Sequence, residues 1–374
     1  MKKRILSLVL AVAMCMGLAV PAFASVATTP SESAYEKYAE EALPRYLIIS
    51  DLNHGENFTM TQPIPIYNGS DECSRAVFCF RDNVCIAEMV ITFSNSSFAS
   101  SFTQADFPAV TKAAIERSPL ALVSSNNALF LITATATEVV VGQEDSASVE
   151  MSSKPARHYQ MQEVNLTEIS FATIESAVQP QSSNGRILDV PYVKNEYYLV
   201  NKNGKVEKEW ICWAAAAASI IKYRSAEATF NGENAETLTA MDVFNRVKNN
   251  YPNAGTPTGN RDWMRYTFDT YFPGNWTLNP SGANFDTVLS IIENEGKPIS
   301  CWIEDGFHAH FVVISGLTYG YGYYYYALID SNSIYDLGTD KRILVQVSSS
   351  PSVTSFTYPA ANGVTYNKWN SYIY

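Results

Sequence analysis

The sequence predicts an α+β protein with two folded units, and three observations lead to this prediction. The chain has 374 residues, which exceeds one average domain. A polar stretch at residues 178–186 (Val-Gln-Pro-Gln-Ser-Ser-Asn-Gly-Arg) has the composition of a linker and divides the chain. After it, helical patterns come first and strand patterns follow, which predicts a helical half and a β half in the second unit.

Residues 1–24 are predicted to be a secretory signal peptide. A basic end (residues 2–4) precedes an apolar run (residues 5–20), and a small-residue cleavage pattern follows at residues 22–24. The apolar run is short for a membrane span, and no later stretch is apolar enough to form one. We therefore expect an exported protein that is secreted or held at the cell surface, with no membrane span.

Charge and motifs exclude several classes of partner. The net charge is -11, which argues against binding nucleic acid or anionic lipid. The sequence has no phosphate-cradling glycine loop and no zinc-ligand spacing, so we expect no cofactor and no metal. His54 and His158 stand alone in the first unit and are assigned structural or solvated roles.

The first unit, residues 25–177, is predicted to be a small α+β domain. It contains a β-hairpin with a polar turn, one helix that ends before Pro119, and three further strands. The predicted strands are 45–50, 77–80, 84–91, 128–132 and 137–141, and the predicted helix is 106–117.

The cysteines leave one question open. Of six cysteines, Cys15 is lost with the signal peptide and five remain, so at least one thiol is free. An exported protein is permitted disulfides, and Cys73, Cys79 and Cys85 around the hairpin form one disulfide or none. Cys301 is predicted to be a buried structural thiol.

The second unit begins at residue 187 and contains a helix that opens on a cysteine. Cys212 is followed by Trp213, five alanines and two isoleucines, with no glycine or proline, which predicts a buried helix. A helix N-terminus carries partial positive charge, so a thiol in the first turn loses its proton more readily. Cys212 is thus a candidate nucleophile, and the alternative is a small buried apolar residue. Further helices are predicted at 236–249, 263–271 and 285–294, and strands at 299–303, 311–314, 323–329, 343–347 and 370–374.

A cysteine nucleophile needs a base, and the second unit has only two histidines, His308 and His310. Both lie at the start of a strand and on the same face of it. The next strand ends in Asp330, with Asn332 two residues on, and a carboxylate or amide there is placed to orient an imidazole. The histidine pair and the aspartate each have an ordinary structural explanation, but together with Cys212 at a helix start they favour catalysis.

Four motifs together resemble the papain-like cysteine peptidases over about residues 187–374. They are residues 212–215 (Cys-Trp-Ala-Ala), 296–299 (Gly-Lys-Pro-Ile), 310–316 (His to Gly) and 328–330 (Leu-Ile-Asp). The branch they resemble most is the bacterial group similar to bacteriocin-leader peptidases and staphopain-type enzymes. The resemblance implies a two-subdomain catalytic unit, with a helical half and an antiparallel β half, that hydrolyses peptide bonds through a thioester.

By this resemblance, Cys212 is the nucleophile and His310 is the general base and acid. His310 is preferred to His308 because the family's histidine runs directly into its strand, with a glycine six residues on, as Gly316 is here. His308 is the alternate. The resemblance also places Trp213 beside the site, where a plain core role is equally acceptable.

The resemblance implies that Asp330 orients the histidine, with Asn332 as the alternate. The family's oxyanion-binding glutamine is missing, since no glutamine lies between residue 186 and Cys212. Asn195 lies in the corresponding segment and is the candidate substitute, whereas Glu209 donates a hydrogen bond only when protonated. The backbone N–H of Cys212 is the second expected donor.

The same resemblance assigns a role to the first unit. Residues 25–186 are expected to be a propeptide that blocks the cleft as an intramolecular inhibitor, with residues 178–186 as the cleavage region and a peptide or protein as substrate. A permanent accessory domain is the alternative. Two rival functions also stay open: an acyltransferase on the same scaffold, and a catalytically inactive surface-binding or inhibitory module, which the missing glutamine favours.

Overall fold

Strands make up most of the regular structure in the computed structural model of this protein. The structure describes residues 30–50, 52, 58–69, 71–94, 96–125, 128–135, 137–141, 166–174, 184–253, 261–306, 309–320, 322–331, 342–347, 357–360 and 364–374. The predicted signal peptide, His54, His158 and most of the predicted linker lie outside these residues. The helices in this part of the chain are α1 (Glu32–Ile49), α2 (Pro108–Glu116), α3 (Cys212–Tyr223), α4 (Ala240–Asn250), α5 (Arg261–Tyr271) and α6 (Phe285–Ser290), which continues as a π-helical turn (Ile291–Glu295).

The strands that precede Cys212 are β1 (Phe58–Thr61), β2 (Ile64–Asn68), β3 (Asp71–Arg81), β4 (Val84–Ser94), β5 (Ser97–Gln104), β6 (Leu120–Ser125), β7 (Ala128–Thr133), β8 (Thr137–Val141), β9 (Phe171–Ile174), β10 (Asn184–Ile187), β11 (Tyr197–Lys202) and β12 (Lys205–Trp210). Those after it are β13 (Leu278–Asn279), β14 (Ile299–Glu304), β15 (Ala309–Gly320), β16 (Tyr323–Asp330), β17 (Ile343–Val347), β18 (Tyr358–Pro359), β19 (Thr365–Tyr366) and β20 (Lys368–Ile373).

One mixed sheet of 16 strands dominates the described part of the chain. Its strand order is β13-β20-β14-β15-β16-β17-β5-β4-β3-β2-β6-β7-β8; β1 pairs with β3 and β9, and β10 pairs with β15. Strands from the C-terminal part of the chain join strands from the N-terminal part where β17 pairs antiparallel with β5, with Leu344 opposite Phe102. The residues from Glu32 to Tyr374 accordingly cluster as one compact unit.

The predicted papain-like arrangement, with a helical half and an antiparallel β half behind a small prodomain, is wrong. The described residues instead form a large mixed sheet with six short helices. Helix α3 packs directly on β15 and β14, so the helices cover part of the sheet and form no separate half. The prediction failed because local periodicity identifies strands but carries no information on which distant strands pair; the β17–β5 pairing joins residues more than two hundred positions apart, such as Ser101 and Val345.

The segment predicted as a strand at residues 45–50 is the end of helix α1. A short apolar run fits a buried helix as well as a strand, and periodicity alone does not distinguish the two. Here the apolar side chains are buried on one face of a helix. Tyr46 is completely buried. Its ring is stacked on that of Phe102 at 5.2 Å and meets that of Tyr325 edge-to-face at 5.3 Å. Its hydroxyl donates to the carbonyl oxygen of Ser100 and accepts from the backbone N–H of Gln346. Helix α1 therefore packs across the β17–β5 junction.

The predicted hairpin is confirmed as strands β3 and β4. Its turn residues Asp82 and Asn83 have positive φ angles of 51° and 66°, the left-handed backbone that favours Asn and Asp in hairpin turns. Of the two alternatives for the nearby cysteines, the structure has the second: Cys73, Cys79 and Cys85 are all free thiols.

Candidate active site

Helix α3 begins at Cys212, the residue predicted to open it. Every residue from Cys212 to Ile221 is buried, and Trp213 is fully enclosed near the ring of Trp263. The helix is therefore held as a fixed element against the sheet. This holds Cys212 in the first turn, next to the free backbone N–H groups of the helix N-terminus.

A hairpin insertion precedes the cysteine and returns the chain to its starting point. Strands β11 and β12 pair from Lys202 opposite Lys205 to Tyr197 opposite Trp210. At the base of this hairpin the backbone N–H of Ile211 donates to the carbonyl of Glu196 at 3.1 Å. Asn195 immediately precedes Glu196, and Cys212 immediately follows Ile211. The two residues, 17 positions apart in sequence, therefore lie at the same end of the hairpin.

His310 and Asp330 meet on one face of the sheet. His310 lies on β15 and Asp330 ends β16, where it is paired with Val312, two residues beyond the histidine. The Nε2 atom of His310 lies 2.6 Å from Oδ1 of Asp330. The two residues are 1% and 4% exposed, so the contact is shielded from water and is strong.

The imidazole of His310 is stabilised in its charged form. Burial is the largest single effect and disfavours the imidazolium. The charge and hydrogen bond of Asp330, together with the hydrogen bond and charge of the Cys212 side chain, outweigh burial and raise the pKa of His310 to about 10. Because Nε2 is engaged by Asp330, Nδ1 is the ring nitrogen toward the thiol. The predicted residues Cys212, His310 and Asp330 therefore come together as one contiguous set.

Two tyrosines that the sequence reasoning missed complete the surroundings of Asp330. The Tyr358 hydroxyl donates to Oδ2 of Asp330 at 2.8 Å, and the ring of Tyr366 lies 5.5 Å from that of His310. Both residues belong to two-residue strands, β18 and β19, which are too short to give a periodic pattern. The only sequence feature that could have indicated them is the high aromatic content, 13% of the chain.

Asn195 lies beside the end of β16. Its backbone N–H donates to the carbonyl of Ser331, the residue after Asp330, at 3.1 Å, and the residue is 6% exposed. Glu209, the weaker oxyanion candidate, is instead paired with Lys202 on the hairpin. Of the two candidates, Asn195 is the one tied to both the cysteine and the aspartate segments.

The remaining predicted residues are not part of the Cys212, His310 and Asp330 set. His308 and Asn332, the alternates, lie outside the described residues. Cys301 is completely buried on β14, and burial raises the pKa of its thiol well above the usual value, in line with the structural role predicted for it. Among the described residues no three His, Cys, Asp or Glu side chains group to hold a metal ion. No helix in the same part of the chain is long and apolar enough to cross a membrane.

No protein-family model matches the sequence, and no curated protein matches it significantly.

Proposed function

We propose that this protein is a secreted cysteine peptidase, made as a precursor, that hydrolyses peptide bonds through a thioester on Cys212. One observation carries the proposal: a cysteine at a helix N-terminus is hydrogen-bonded to a buried histidine, which an aspartate holds through its other nitrogen. Nucleophile, base and orienting group in this order are the requirements for cysteine-based acyl transfer. The substrate is a peptide or protein.

The arrangement supports each proton transfer of the reaction. The Sγ of Cys212 attacks the peptide carbonyl as a thiolate, and the imidazolium of His310 gives its proton to the leaving amine. A water then attacks the thioester while the neutral imidazole takes its proton, so acid, thiol and imidazole are regenerated. Asp330 stabilises the imidazolium throughout. The backbone N–H of Cys212 and the side-chain amide of Asn195 are the proposed donors to the oxyanion.

Burial of the site fits a latent precursor. Cys212 is only 7% exposed, so a peptide carbonyl reaches Sγ only after some covering element moves or is removed. The N-terminal residues 25–177 are the proposed intramolecular inhibitor. They contact the catalytic part closely: β5 pairs with β17, and the guanidinium of Arg45 lies 3.8 Å over the ring of Tyr323.

An alkylation experiment tests the enzyme against an inactive binding or inhibitory module. Iodoacetamide at neutral pH is applied to the full chain and to material nicked between residues 175 and 183, and the labelled cysteine is identified by mass spectrometry. We expect Cys212 to react faster than the buried Cys301, and the preference to disappear in His310→Ala. A Cys212 that stays inert after the nicked N-terminal part has been separated from the catalytic part would rule out the peptidase.

Product analysis then separates hydrolysis from acyl transfer. The catalytic part, separated from the nicked N-terminal part, is incubated with a denatured protein substrate, with and without an added amine such as hydroxylamine. New free carboxyl termini at the cut positions, independent of the amine, support hydrolysis. Products that carry the amine in most turnovers at low amine concentration would favour an acyltransferase. Cys212→Ala is the control for contaminating peptidases.

A further inference from the structure

Both carboxylate oxygens of Asp330 are engaged by different partners. Oδ1 lies 2.6 Å from Nε2 of His310, and Oδ2 accepts the hydroxyl of Tyr358 at 2.8 Å. Tyr358 is 1% exposed. With one oxygen held on each side, the carboxylate cannot rotate about its bond without breaking a charge-assisted hydrogen bond.

We propose that Tyr358 is a positioning residue, whose hydroxyl fixes the plane of the Asp330 carboxylate and through it the ring of His310. The inference rests on the proposed peptidase function and adds a fourth residue to its machinery. Tyr358 acts through Asp330 and has no assigned contact with the substrate. Its effect is therefore on how well the imidazolium is held.

The hydroxyl is suited to this role because it remains a donor. Burial, and after it the charge and hydrogen bond of Asp330, raise the pKa of Tyr358 well above its usual value. The phenol therefore keeps its proton across the pH range in which a cysteine peptidase works. A phenol has one rotatable proton, and here the nearest charged acceptor is Oδ2 of Asp330.

The backbone that carries Tyr358 is itself held in place from the N-terminal part of the chain. The Ser101 hydroxyl on β5 donates to the carbonyl of Pro359 at 2.5 Å, one residue after Tyr358. On the other side β18 pairs with β19, with Tyr358 opposite Tyr366 and their rings 6.0 Å apart. Tyr358 is thus fixed by its own short strand pair and by the strand β5.

Tyr358→Phe tests the proposal, because it removes one hydroxyl and leaves the ring. Tyr325→Phe is the matched control: Tyr325 is also completely buried, lies on β16, and its hydroxyl has no hydrogen-bond partner among the described residues. The first readout is the rate of Cys212 alkylation by iodoacetamide at pH 7. The second is the NMR titration of His310 in histidine-labelled protein, followed on the acid side.

We expect Tyr358→Phe to slow alkylation about tenfold, the effect of about one charge-assisted hydrogen bond. We also expect the acid inflection sensed by His310 to move to higher pH, because the lost donor favoured the ionised form of the Asp330 carboxylate. Ser101→Ala should move both readouts in the same direction by a smaller amount. The control should change neither.

Two outcomes overturn the proposal. In the first, Tyr358→Phe matches Tyr325→Phe in both readouts. In the second, alkylation slows only as much as the folded fraction of the protein falls, and the acid inflection does not move. Tyr358 would then have a structural role only. Failure of the peptidase itself is distinguishable, since Cys212 is then inert in the unsubstituted protein as well.

Discussion

The Nε2 atom of His310 and the Oδ1 atom of Asp330 lie 2.6 Å apart in surroundings where neither residue is more than 4% exposed. Removing one member of such a pair leaves the other group buried without compensation. The charge state of His310 is therefore set by Asp330 more than by solvent, and this dependence can be measured before any substrate is known.

Asp330→Asn should lower the pKa of His310 well below about 10. Without the carboxylate, burial remains, and burial disfavours the imidazolium. NMR of histidine-labelled protein gives the measurement, because the chain has only four histidines and His310→Gln identifies the resonance. Asp305→Asn, which removes a different carboxylate, one that contributes to the raised pKa of Tyr366, is the control. An unchanged pKa in Asp330→Asn would contradict the assignment of the pair.

The same pair should make stability depend on pH with a defined sign. The pKa of His310 is about 10 in the folded protein and about 6.5 when unfolded, so the folded state binds more protons between these values. The stability that His310 contributes is full below about pH 6.5 and is lost as pH rises through about 10. In urea unfolding at several pH values, the difference in unfolding free energy between the unsubstituted protein and His310→Gln should shrink as pH rises. If the free energies of unfolding of the two proteins change in parallel with pH, the prediction is refuted.

The parts of the site that could be predicted from sequence are those that local patterns carry. The alanine run predicted the helix that begins at Cys212, and strand ends predicted the positions of His310 and Asp330. The fold class could not be predicted, because the β17–β5 pairing depends on distant residues and not on periodicity. Tyr358 was missed for the same reason, since its contact to Asp330 spans 28 positions from a two-residue strand.

Asn195→Ala should separate turnover from thiol reactivity. The backbone N–H of Asn195 bonds to Ser331 and is kept in the variant, so only the side-chain amide is lost. We expect turnover of a protein substrate to fall about a hundredfold, because one oxyanion donor is removed. Alkylation of Cys212 by iodoacetamide should stay within about twofold, since that reaction forms no oxyanion. An equal loss of substrate turnover and of Cys212 alkylation would mean that Asn195 supports the fold and not the oxyanion.

Processing should occur before Asn184, within the part of the predicted linker that precedes strand β10. Residues Asn184–Ile187 pair with β15, and the guanidinium of Arg186 donates to the carbonyls of Ile292 and Glu293, so these peptide bonds are held in a sheet and are poor protease substrates. N-terminal sequencing of the processed protein should therefore give a start at or upstream of Asn184.

Gly185→Ala tests whether the pairing of β10 is what confines cleavage to positions before Asn184. Gly185 has a φ of 139°, and a Cβ there would overlap the carbonyl oxygen of Leu317, so the substitution should disrupt the pairing. Cleavage should then extend into residues 184–187. Gly232→Ala, at a position with open space around it, should leave the processed N-terminus unchanged. A start downstream of Asn184 in the unsubstituted protein would contradict the prediction.

Cleavage of the linker alone should not release the N-terminal part. Its strand β5 continues the sheet onto β17, and Tyr46 is buried against Tyr325 with a hydrogen bond from Gln346. Large-to-small substitution of a buried aromatic typically costs about 3–5 kcal/mol, so Tyr46→Ala should weaken the association more than a hundredfold. In size-exclusion chromatography at micromolar concentration, nicked protein should elute as one complex and nicked Tyr46→Ala as two species. Tyr67→Ala, at a half-buried position on β2 away from the junction, should leave the complex intact. If the nicked unsubstituted protein separates under native conditions, the β5–β17 junction is too weak to keep the site latent, and the linker itself must carry the inhibition.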